Sequence, residues 1–203
     1  MRRIVMFNRV TADGYFAGPD GSLAWAVPDE ELDKSAAEQT SNGRPGAILF
    51  GRRTYEMFEE FWPRAVASSS GANDPHGGGP LTSEQRAMGV WINEANKIVF
   101  SRTRKSVTWK NSKLLHELDS GRIEALKREP GPDILIFGSG SIVSQLSDHR
   151  LIDEYQFVLN PILLGDGRSM VSGLSKSVAL DLLGVKEYAS GNVMLRYSPR
   201  KSG

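Results

Sequence analysis

The chain contains no cysteine in its 203 residues. This absence excludes disulfide bonds, thiolate nucleophiles and metal sites built on sulfur, and it suits a reducing cytoplasm. The three histidines, His76, His116 and His149, lack the close spacing of metal ligands. The sequence therefore predicts no metal site.

An excess of charge of either sign is also missing. The chain has 25 lysines and arginines against 24 aspartates and glutamates, which gives a formal net charge of +1. Without a broad electrostatic field, neither nucleic acid nor an anionic membrane is an expected partner, and a phosphorylated ligand must be held by local groups. The apolar run from Ile4 to Phe7 is too short for a signal peptide or a membrane span. We therefore expect a soluble, cytoplasmic protein that binds a small molecule.

One segment lacks hydrophobic periodicity. Between about residues 64 and 80 the sequence contains the low-complexity run SSSGANDPHGGGP. Such a composition buries too little apolar surface to order itself, so we expect a mobile surface loop there. No internal repeat or domain linker is found, and a hydrophobic content of 39% is enough for one core. The prediction is a single domain over residues 1–203.

Short apolar runs alternate with helical patterns along most of the chain. Runs without polar alternation are typical of strands buried on both faces of a parallel sheet. Such strands are predicted at 3–10, 47–50, 97–100, 134–137 and in the later part of 151–159, with a short edge strand at 107–109. Residues 178–187 and 192–197 predict a closing hairpin. The fold class is therefore α/β, with a mostly parallel central sheet flanked by helices and an antiparallel C-terminal hairpin.

The most informative stretch is the Gly-Ser-Gly-Ser turn at residues 138–141, between a predicted strand and a predicted helix. The first amides of a helix are free, and glycine lets a ligand approach the backbone, so this turn can hold an anion such as phosphate. The glycines could equally serve only to allow a tight turn. The six-residue dinucleotide fingerprint is not met, because Val143 occupies the position of the third glycine.

A second strand leads into a helix through glycine at Gly51, followed by Arg52, Arg53 and Thr54. Two such turns at the same edge of one sheet could hold the two ends of an extended anionic ligand. The alternative is that Arg52 and Arg53 are solvated surface charges.

These motifs stand in a recognisable order along nearly the whole chain. They are Asp13-Gly14-Tyr15 with Trp25, Phe50-Gly51-Arg52-Arg53-Thr54-Tyr55, Val99-Phe100-Ser101-Arg102, Ile136-Phe137-Gly138-Ser139-Gly140-Ser141, and Leu151-Ile152-Asp153-Glu154 with Pro161 to Gly167 beyond. Together they resemble the dihydrofolate reductase-like family, and within it the C-terminal reductase domain of the bacterial bifunctional deaminase-reductase of riboflavin synthesis. The zinc motif of the deaminase half has no counterpart in this cysteine-free sequence. We therefore expect the reductase domain alone.

The resemblance implies NADPH as the cofactor, with its pyrophosphate between the two glycine turns and its 2′-phosphate near two arginines. The cofactor-binding residues that it implies are Gly51, Arg52, Thr54, Ser101, Arg102, Gly138, Ser139, Gly140, Ser141 and Ile142. Ser139 stands where many members have glycine. The implied substrate-binding residues are Asn8, Trp25 and Pro161.

Two acidic residues are candidate proton donors. Similarity to dihydrofolate reductases places Glu30 near the donor position, because Trp25 and Pro28 share the Trp-x-x-Pro spacing and the acid follows two positions later. Glu30 could instead only favour a helix N-terminus. Asp13 is the second candidate, and it could equally be a turn residue that bonds its own backbone.

The predicted function is that of an NADPH-dependent oxidoreductase that reduces a small heterocyclic or carbonyl substrate, similar to 5-amino-6-(5-phosphoribosylamino)uracil reductase or dihydrofolate reductase. The alternative is a non-catalytic module that binds a dinucleotide or a phosphorylated metabolite. The apolar stretch from Leu159 to Leu164 and the C-terminal hairpin also predict a homodimer.

Overall fold

The computed structural model describes residues 1–41, 46–67 and 80–200. The strands are β1 (Ile4–Thr11), β2 (Tyr15–Ala17), β3 (Ala47–Gly51), β4 (Asn96–Phe100), β5 (Ser112–Leu115), β6 (Ile134–Phe137), β7 (Glu154–Asn160), β8 (Arg168–Ser169), β9 (Leu180–Glu187) and β10 (Val193–Pro199). The helices are α1 (Glu30–Ser41), α2 (Arg52–Ala67), α3 (Ser83–Glu94), α4 (Ser120–Arg128) and α5 (Gly140–Asp148).

In the described part of the chain, eight strands form one sheet in the order β5-β4-β3-β6-β1-β7-β10-β9. All neighbours from β5 to β7 are parallel, whereas β10 is antiparallel to both β7 and β9. This arrangement confirms the predicted fold class. A second, two-stranded sheet pairs β2 with β8 and was not predicted, because glycine and aspartate dominate the sequence around both strands.

Alternate residues of the central strands pack on opposite faces of the sheet. On one face Met6 of β1 and Ile136 of β6 contact the apolar side of α5, including Val143 and Leu146. On the other face Val5 and Leu135 belong to a cluster with the aromatic side chains of α2 and α3. Burial on both faces explains why these strands are continuous apolar runs in the sequence.

Two predicted boundaries are wrong. Residues 107–109 do not form the edge strand, because the amides of Thr108 and Trp109 donate to the Glu59 carboxylate rather than to a neighbouring strand. At this edge of the sheet the outermost strand is β5, which pairs with β4. The predicted mobile loop also starts too early, since residues 64–67 continue α2 and Ala65 is buried there. Residues 68–79 of that loop lie outside the described residues.

None of the described helices is long and apolar enough to cross a membrane.

The edge strand β9 carries exposed apolar side chains. Leu182, Leu183 and Val185 are each more than half exposed, and so is Leu163 in the loop after β7. Exposed apolar side chains on an unpaired strand edge are typical of an interface.

The homodimer stays a prediction. The exposed apolar side chains of β9 allow a direct test of it, because they can be replaced by charged ones. Light scattering at micromolar concentration should give about twice the monomer mass for the unmutated protein. A Leu183→Asp, Val185→Asp variant should be monomeric, because two buried carboxylates would oppose association. A monomer mass for the unmutated protein would contradict the prediction.

The buried carboxylate of Glu154, the first residue of β7, forms ion pairs with Arg3 and with Arg196 of β10. Glu154 is 1% exposed and accepts hydrogen bonds from Arg196 at 2.7 Å, Gln156 at 2.7 Å and Arg3 at 2.9 Å. Burial acts to raise the pKa of Glu154, but hydrogen bonds from Arg196 and Gln156 and the charges of Arg196 and Arg3 outweigh it, so this pKa lies below its usual value.

Glu154→Gln should therefore reduce the free energy of unfolding by about 1.5–3 kcal/mol at pH 7, the scale of a hydrogen bond to a charged group. A carboxylate with a lowered folded-state pKa contributes stability above its unfolded pKa, near 4.5, and this contribution is lost as the pH falls through the folded-state value. Urea unfolding at several pH values tests this. The control is Asp181→Asn, which removes an exposed pair with Arg200 and should change little. If Glu154→Gln reduced the free energy of unfolding by the same amount at pH 7 and in acid, the stabilising role of the ionised carboxylate would be contradicted.

Candidate functional site

A cleft of about 1160 Å³ opens at the edge of the sheet where the parallel strands β1, β3, β4 and β6 end. In open α/β sheets the carboxyl ends of the strands are the usual place for a ligand. Most of the predicted site residues line it: Asn8, Trp25, Gly51, Arg52, Thr54, Ser101, Arg102, Gly138, Ser139, Gly140 and Ser141. Residues separated by more than 120 positions in the sequence therefore meet in one cavity.

The two glycine turns are joined by side-chain hydrogen bonds. The amide of Ser139 donates to Thr54 Oγ1 at 3.0 Å, and Ser139 Oγ accepts a hydrogen bond from the Gly51 amide at 3.0 Å. Thr54 belongs to the first turn of α2 and Ser139 precedes α5, so each turn holds the other. The helix N-termini of α2 and α5 are thus fixed relative to each other.

Asn8 on β1 holds the second turn from the opposite side. Its Nδ2 donates to the Gly138 carbonyl at 3.2 Å, and its Oδ1 accepts from the Gly138 amide. Asn8 was predicted to bind substrate, and that role stays a prediction. In the structure its side chain supports the backbone of the turn.

The backbone of this turn requires unusual conformations. Gly138 has φ +53° and Ser139 has φ +57°. A Cβ atom on Gly138 would lie 2.8 Å from Thr54 Oγ1, and one on Gly140 would lie 2.9 Å from the Met170 carbonyl oxygen. Glycine is therefore needed for close packing at both positions.

The start of α5 can bind an anion. The Ser139 carbonyl accepts hydrogen bonds from the amides of Ile142 at 2.8 Å and Val143 at 3.0 Å. The amides of Gly140 and Ser141 precede these and have no earlier helical carbonyl to bind. With the positive end of the helix dipole, they offer the donors that a phosphate needs.

Arginines gather at the ends of β3 and β4. Arg52 and Arg53 begin α2, and Arg102 follows β4, all three lining the cleft. Arg52 also forms an ion pair of 2.9 Å with Glu56, one helical turn away. Ser101 Oγ accepts the amides of Thr103 at 3.3 Å and Arg104 at 3.0 Å and so shapes the loop that carries Arg102.

Four of the predicted site residues are not among those that line the cleft. Ile142 is buried in the core and Glu30 is exposed at the first position of α1. Pro161 is exposed and packs near Gly191. The fourth residue, Asp13, is described next.

Asp13 does not line the cleft but binds the loop at Leu164 and Gly165. Its carboxylate accepts hydrogen bonds from Thr11 Oγ1 at 2.5 Å and from the amides of Leu164 at 3.0 Å and Gly165 at 2.7 Å. The hydrogen bond from Thr11, together with those from the backbone, holds the pKa of Asp13 below its usual value. The group is therefore ionised at neutral pH. Its carboxylate connects the turn at Thr11 to the loop at Leu164 and Gly165, and its role as a proton donor stays a prediction.

An ion pair that was not predicted lies inside the cleft. Arg9 on β1 donates to Asp33 of α1 at 3.1 Å, and Gln85 of α3 donates to the other Asp33 oxygen at 2.8 Å. The Arg9 and Asp33 side chains are only 14% and 13% exposed. No local motif marks them, although Asp33 lies three residues beyond Glu30, on the next turn of the same helix.

Comparison with known proteins identifies the class. The family model of the RibD C-terminal domain matches residues 2–194, so the chain belongs to the RibD C-terminal domain family. This confirms the resemblance stated from the sequence. Among curated proteins the chain is similar to the uncharacterized protein YyaP of Bacillus subtilis (strain 168), with 24% identity over 97% of this chain and 94% of the relative.

Solved structures agree on the fold. A protein of Shewanella sp. PV-4 assigned to riboflavin biosynthesis matches with a TM-score of 0.69 and 20% identity, over 99% of this chain and all of that one. A diaminohydroxyphosphoribosylaminopyrimidine deaminase/5-amino-6-(5-phosphoribosylamino)uracil reductase of Thermotoga maritima matches with a TM-score of 0.63 and 16% identity. This chain covers 98% of its own length but 57% of the Thermotoga protein. The chain thus shares its fold with these proteins.

Proposed function

We propose that the protein is an NADPH-dependent reductase that delivers a hydride to a small heterocyclic or carbonyl substrate. One observation carries the proposal. Two helix N-termini, each preceded by a glycine turn, are joined by Thr54 and Ser139 at the edge of a cleft that also contains several arginines. An extended ligand with a phosphate at more than one position fits this set of donors.

The residues present fit the cofactor. The amides of Gly140 and Ser141 would hold the pyrophosphate, because they are free at the N-terminus of α5. Glycine at 138 and 140 keeps this backbone in place, since a side chain at either position would collide with its neighbours. Arg52 and Arg102 would hold the 2′-phosphate, since arginine donates paired hydrogen bonds to phosphate oxygens. When bound, NADPH supplies the hydride.

The side chains of the protein would support the cofactor site and orient the substrate. Asn8 and Thr54 keep the turn at Gly138 and Ser139 in place. Asp33 is held by Arg9 and Gln85, so it is suited to orient a substrate N–H group or a water that carries the proton, rather than to release a proton of its own. The Arg9 and Asp33 side chains are only 14% and 13% exposed, so few water molecules can contact this ion pair directly.

Cofactor binding and turnover can be measured separately. Calorimetry with NADPH tests binding, and loss of absorbance at 340 nm in the presence of heterocyclic and carbonyl compounds tests turnover. Binding with turnover supports the reductase. Binding without turnover of any compound would favour the non-catalytic module, and the absence of NADPH binding would refute the proposal.

The proton-donor roles of Glu30 and Asp13 stay predictions. We assign to Asp33 the different role of orienting the group or the water that carries the proton. We expect Asp33→Asn to lower turnover about 100-fold, the usual scale of general acid–base assistance, with NADPH affinity unchanged. Glu30→Gln and Asp13→Asn are the matched charge-neutralising controls and should keep turnover within about threefold. If one of these two slows turnover and Asp33→Asn does not, the donor predicted from the sequence holds and the role given to Asp33 fails.

A further inference from the structure

Four side chains of alternating charge connect the cleft to the loop after β4. Arg52 Nη1 lies 2.9 Å from Glu56 Oε2, and Arg104 Nη1 lies 3.4 Å from Glu56 Oε1. Arg104 Nη2 lies 2.8 Å from Glu59 Oε2. Two guanidinium groups and two carboxylates thus form one chain of ion pairs, and their formal charges sum to zero.

The two ends of this chain differ in their surroundings. Arg52 and Glu56 line the cleft, and their side chains are 41% and 40% exposed. Arg104 and Glu59 do not line the cleft, and their side chains are 21% and 20% exposed. A ligand that reaches the Arg52 guanidinium therefore also meets the Glu56 carboxylate.

The inner end of the chain holds Glu56 in place. The Glu59 carboxylate accepts hydrogen bonds from Thr108 Oγ1 at 2.7 Å and from the Tyr55 hydroxyl at 2.8 Å. Burial acts to raise the pKa of Glu59, but these hydrogen bonds and the charge of Arg104 outweigh it, so this pKa lies below its usual value. Arg104 also lies over the Tyr55 ring, 4.9 Å from its centroid. Arg104 is thus fixed, and it keeps one oxygen of Glu56 beside the cleft.

A carboxylate at this place discriminates between two kinds of ligand. A phosphate dianion bound by Arg52 and Arg102 would lie near the Glu56 carboxylate, and like charges repel each other. A hydroxyl group in the same region can donate a hydrogen bond to the carboxylate instead. Glu56 therefore opposes a phosphate and favours a hydroxyl.

The ion pair between Glu56 and Arg52 acts in the opposite direction, but its effect is smaller. Holding Arg52 near the site would assist phosphate binding, yet an exposed ion pair one helical turn apart changes an equilibrium only about twofold. Repulsion between a single charge and a dianion several ångströms apart corresponds to about fivefold in affinity, even at the dielectric constant of water. Repulsion should therefore dominate.

We propose that Glu56 is a specificity-determining residue that limits the preference of this site for NADPH over NADH. This inference rests on the proposed function, because it takes the 2′-phosphate of NADPH to lie at Arg52 and Arg102. Glu56 neutralises Arg52 in the free protein and repels the phosphate that competes for the same guanidinium. Removal of its charge leaves one uncompensated positive charge beside the phosphate.

Glu56→Gln tests the inference, because glutamine keeps the size of the side chain and removes the charge. The variant should bind NADPH at least about fivefold more tightly and NADH within about threefold of the unmutated protein. Calorimetry with both cofactors measures this, and the gain for NADPH should shrink as the salt concentration rises. Unchanged or weaker binding of NADPH by the variant, or an equal gain for both cofactors, would overturn the inference.

Glu60→Gln is the matched control. Glu60 lies on the same helix and also pairs with an arginine one helical turn away, Arg64 at 3.6 Å, but it does not line the cleft. Its substitution removes the same charge and should leave both affinities within about twofold. If Glu60→Gln tightened NADPH as much as Glu56→Gln, the effect would come from net charge, and the role of Glu56 would be refuted.

A pair of cofactor fragments separates failure of this inference from failure of the proposed function. If NADPH binds and Glu56→Gln does not tighten it, only the role of Glu56 fails. If neither NADPH nor NADH binds to the unmutated protein, the cofactor proposal fails, and adenosine 2′,5′-bisphosphate and adenosine 5′-phosphate are titrated instead. These differ only in the 2′-phosphate. Selective tightening of the bisphosphate by Glu56→Gln then supports the inference, and an equal change, no change or no binding of the bisphosphate refutes it.

Discussion

Gly138→Ala is expected to weaken NADPH binding at least about 100-fold. The added Cβ would lie 2.8 Å from Thr54 Oγ1 in a residue whose φ is +53°, so the backbone must move. That movement displaces the Gly140 and Ser141 amides from the proposed pyrophosphate. The loss of two hydrogen bonds to a charged group, about 1.5–3 kcal/mol each, corresponds to two decades or more in affinity.

The matched control for backbone strain is Gly165→Ala. Gly165 has φ +74°, lies outside the cleft and has no atom within 4 Å of an added Cβ. This variant should lose about 1–2 kcal/mol of stability from its left-handed conformation and keep its NADPH affinity. Calorimetry with NADPH and a thermal melt of both variants distinguish the effects. Similar affinities for the two variants would remove the turn at Gly138 from the cofactor site.

The second large effect concerns the choice between NADPH and NADH. Arg102→Ala and Arg52→Ala should each weaken NADPH by about 10- to 150-fold and leave NADH nearly unchanged, because only NADPH carries the 2′-phosphate that these side chains would bind. The effect of Arg52→Ala should be the smaller one, since Arg52 must first leave its ion pair with Glu56. Raising the salt concentration should reduce the preference for NADPH.

Arg122→Ala serves as the control for loss of one positive charge. Arg122 is exposed on α4 and does not line the cleft. Titrations of NADPH and NADH into all three variants and the unmutated protein complete the test. Equal affinities for the two cofactors in the unmutated protein would remove the 2′-phosphate site while leaving the pyrophosphate site at the two turns untouched.

The position of the cofactor cleft could be anticipated because its signals are local. Glycine after an apolar strand, followed by a helical pattern, predicts both the turn and its place at the carboxyl end of a strand. Two such turns in a parallel sheet must then face the same edge. Most of the residues predicted to bind the cofactor do line the cleft for this reason.

The error at β5 has a tertiary cause. The segment at residues 107–109 has a strand-like composition, but the Glu59 carboxylate on α2 binds the amides of Thr108 and Trp109. The pairing with β4 begins three residues later, at Ser112. Composition alone carries no information about a carboxylate that approaches from 50 residues away.

The sequence by itself determined the layered α/β fold, the two glycine turns and the family, because these depend on the order of local patterns along the chain. Only the tertiary structure decided which polar side chains share the inner cleft. Arg9, Asp33 and Gln85 come from β1, α1 and α3, and no spacing in the sequence relates them. Their contact arises because α1 and α3 pack together, and it places the ion pair of Arg9 and Asp33 inside the cleft.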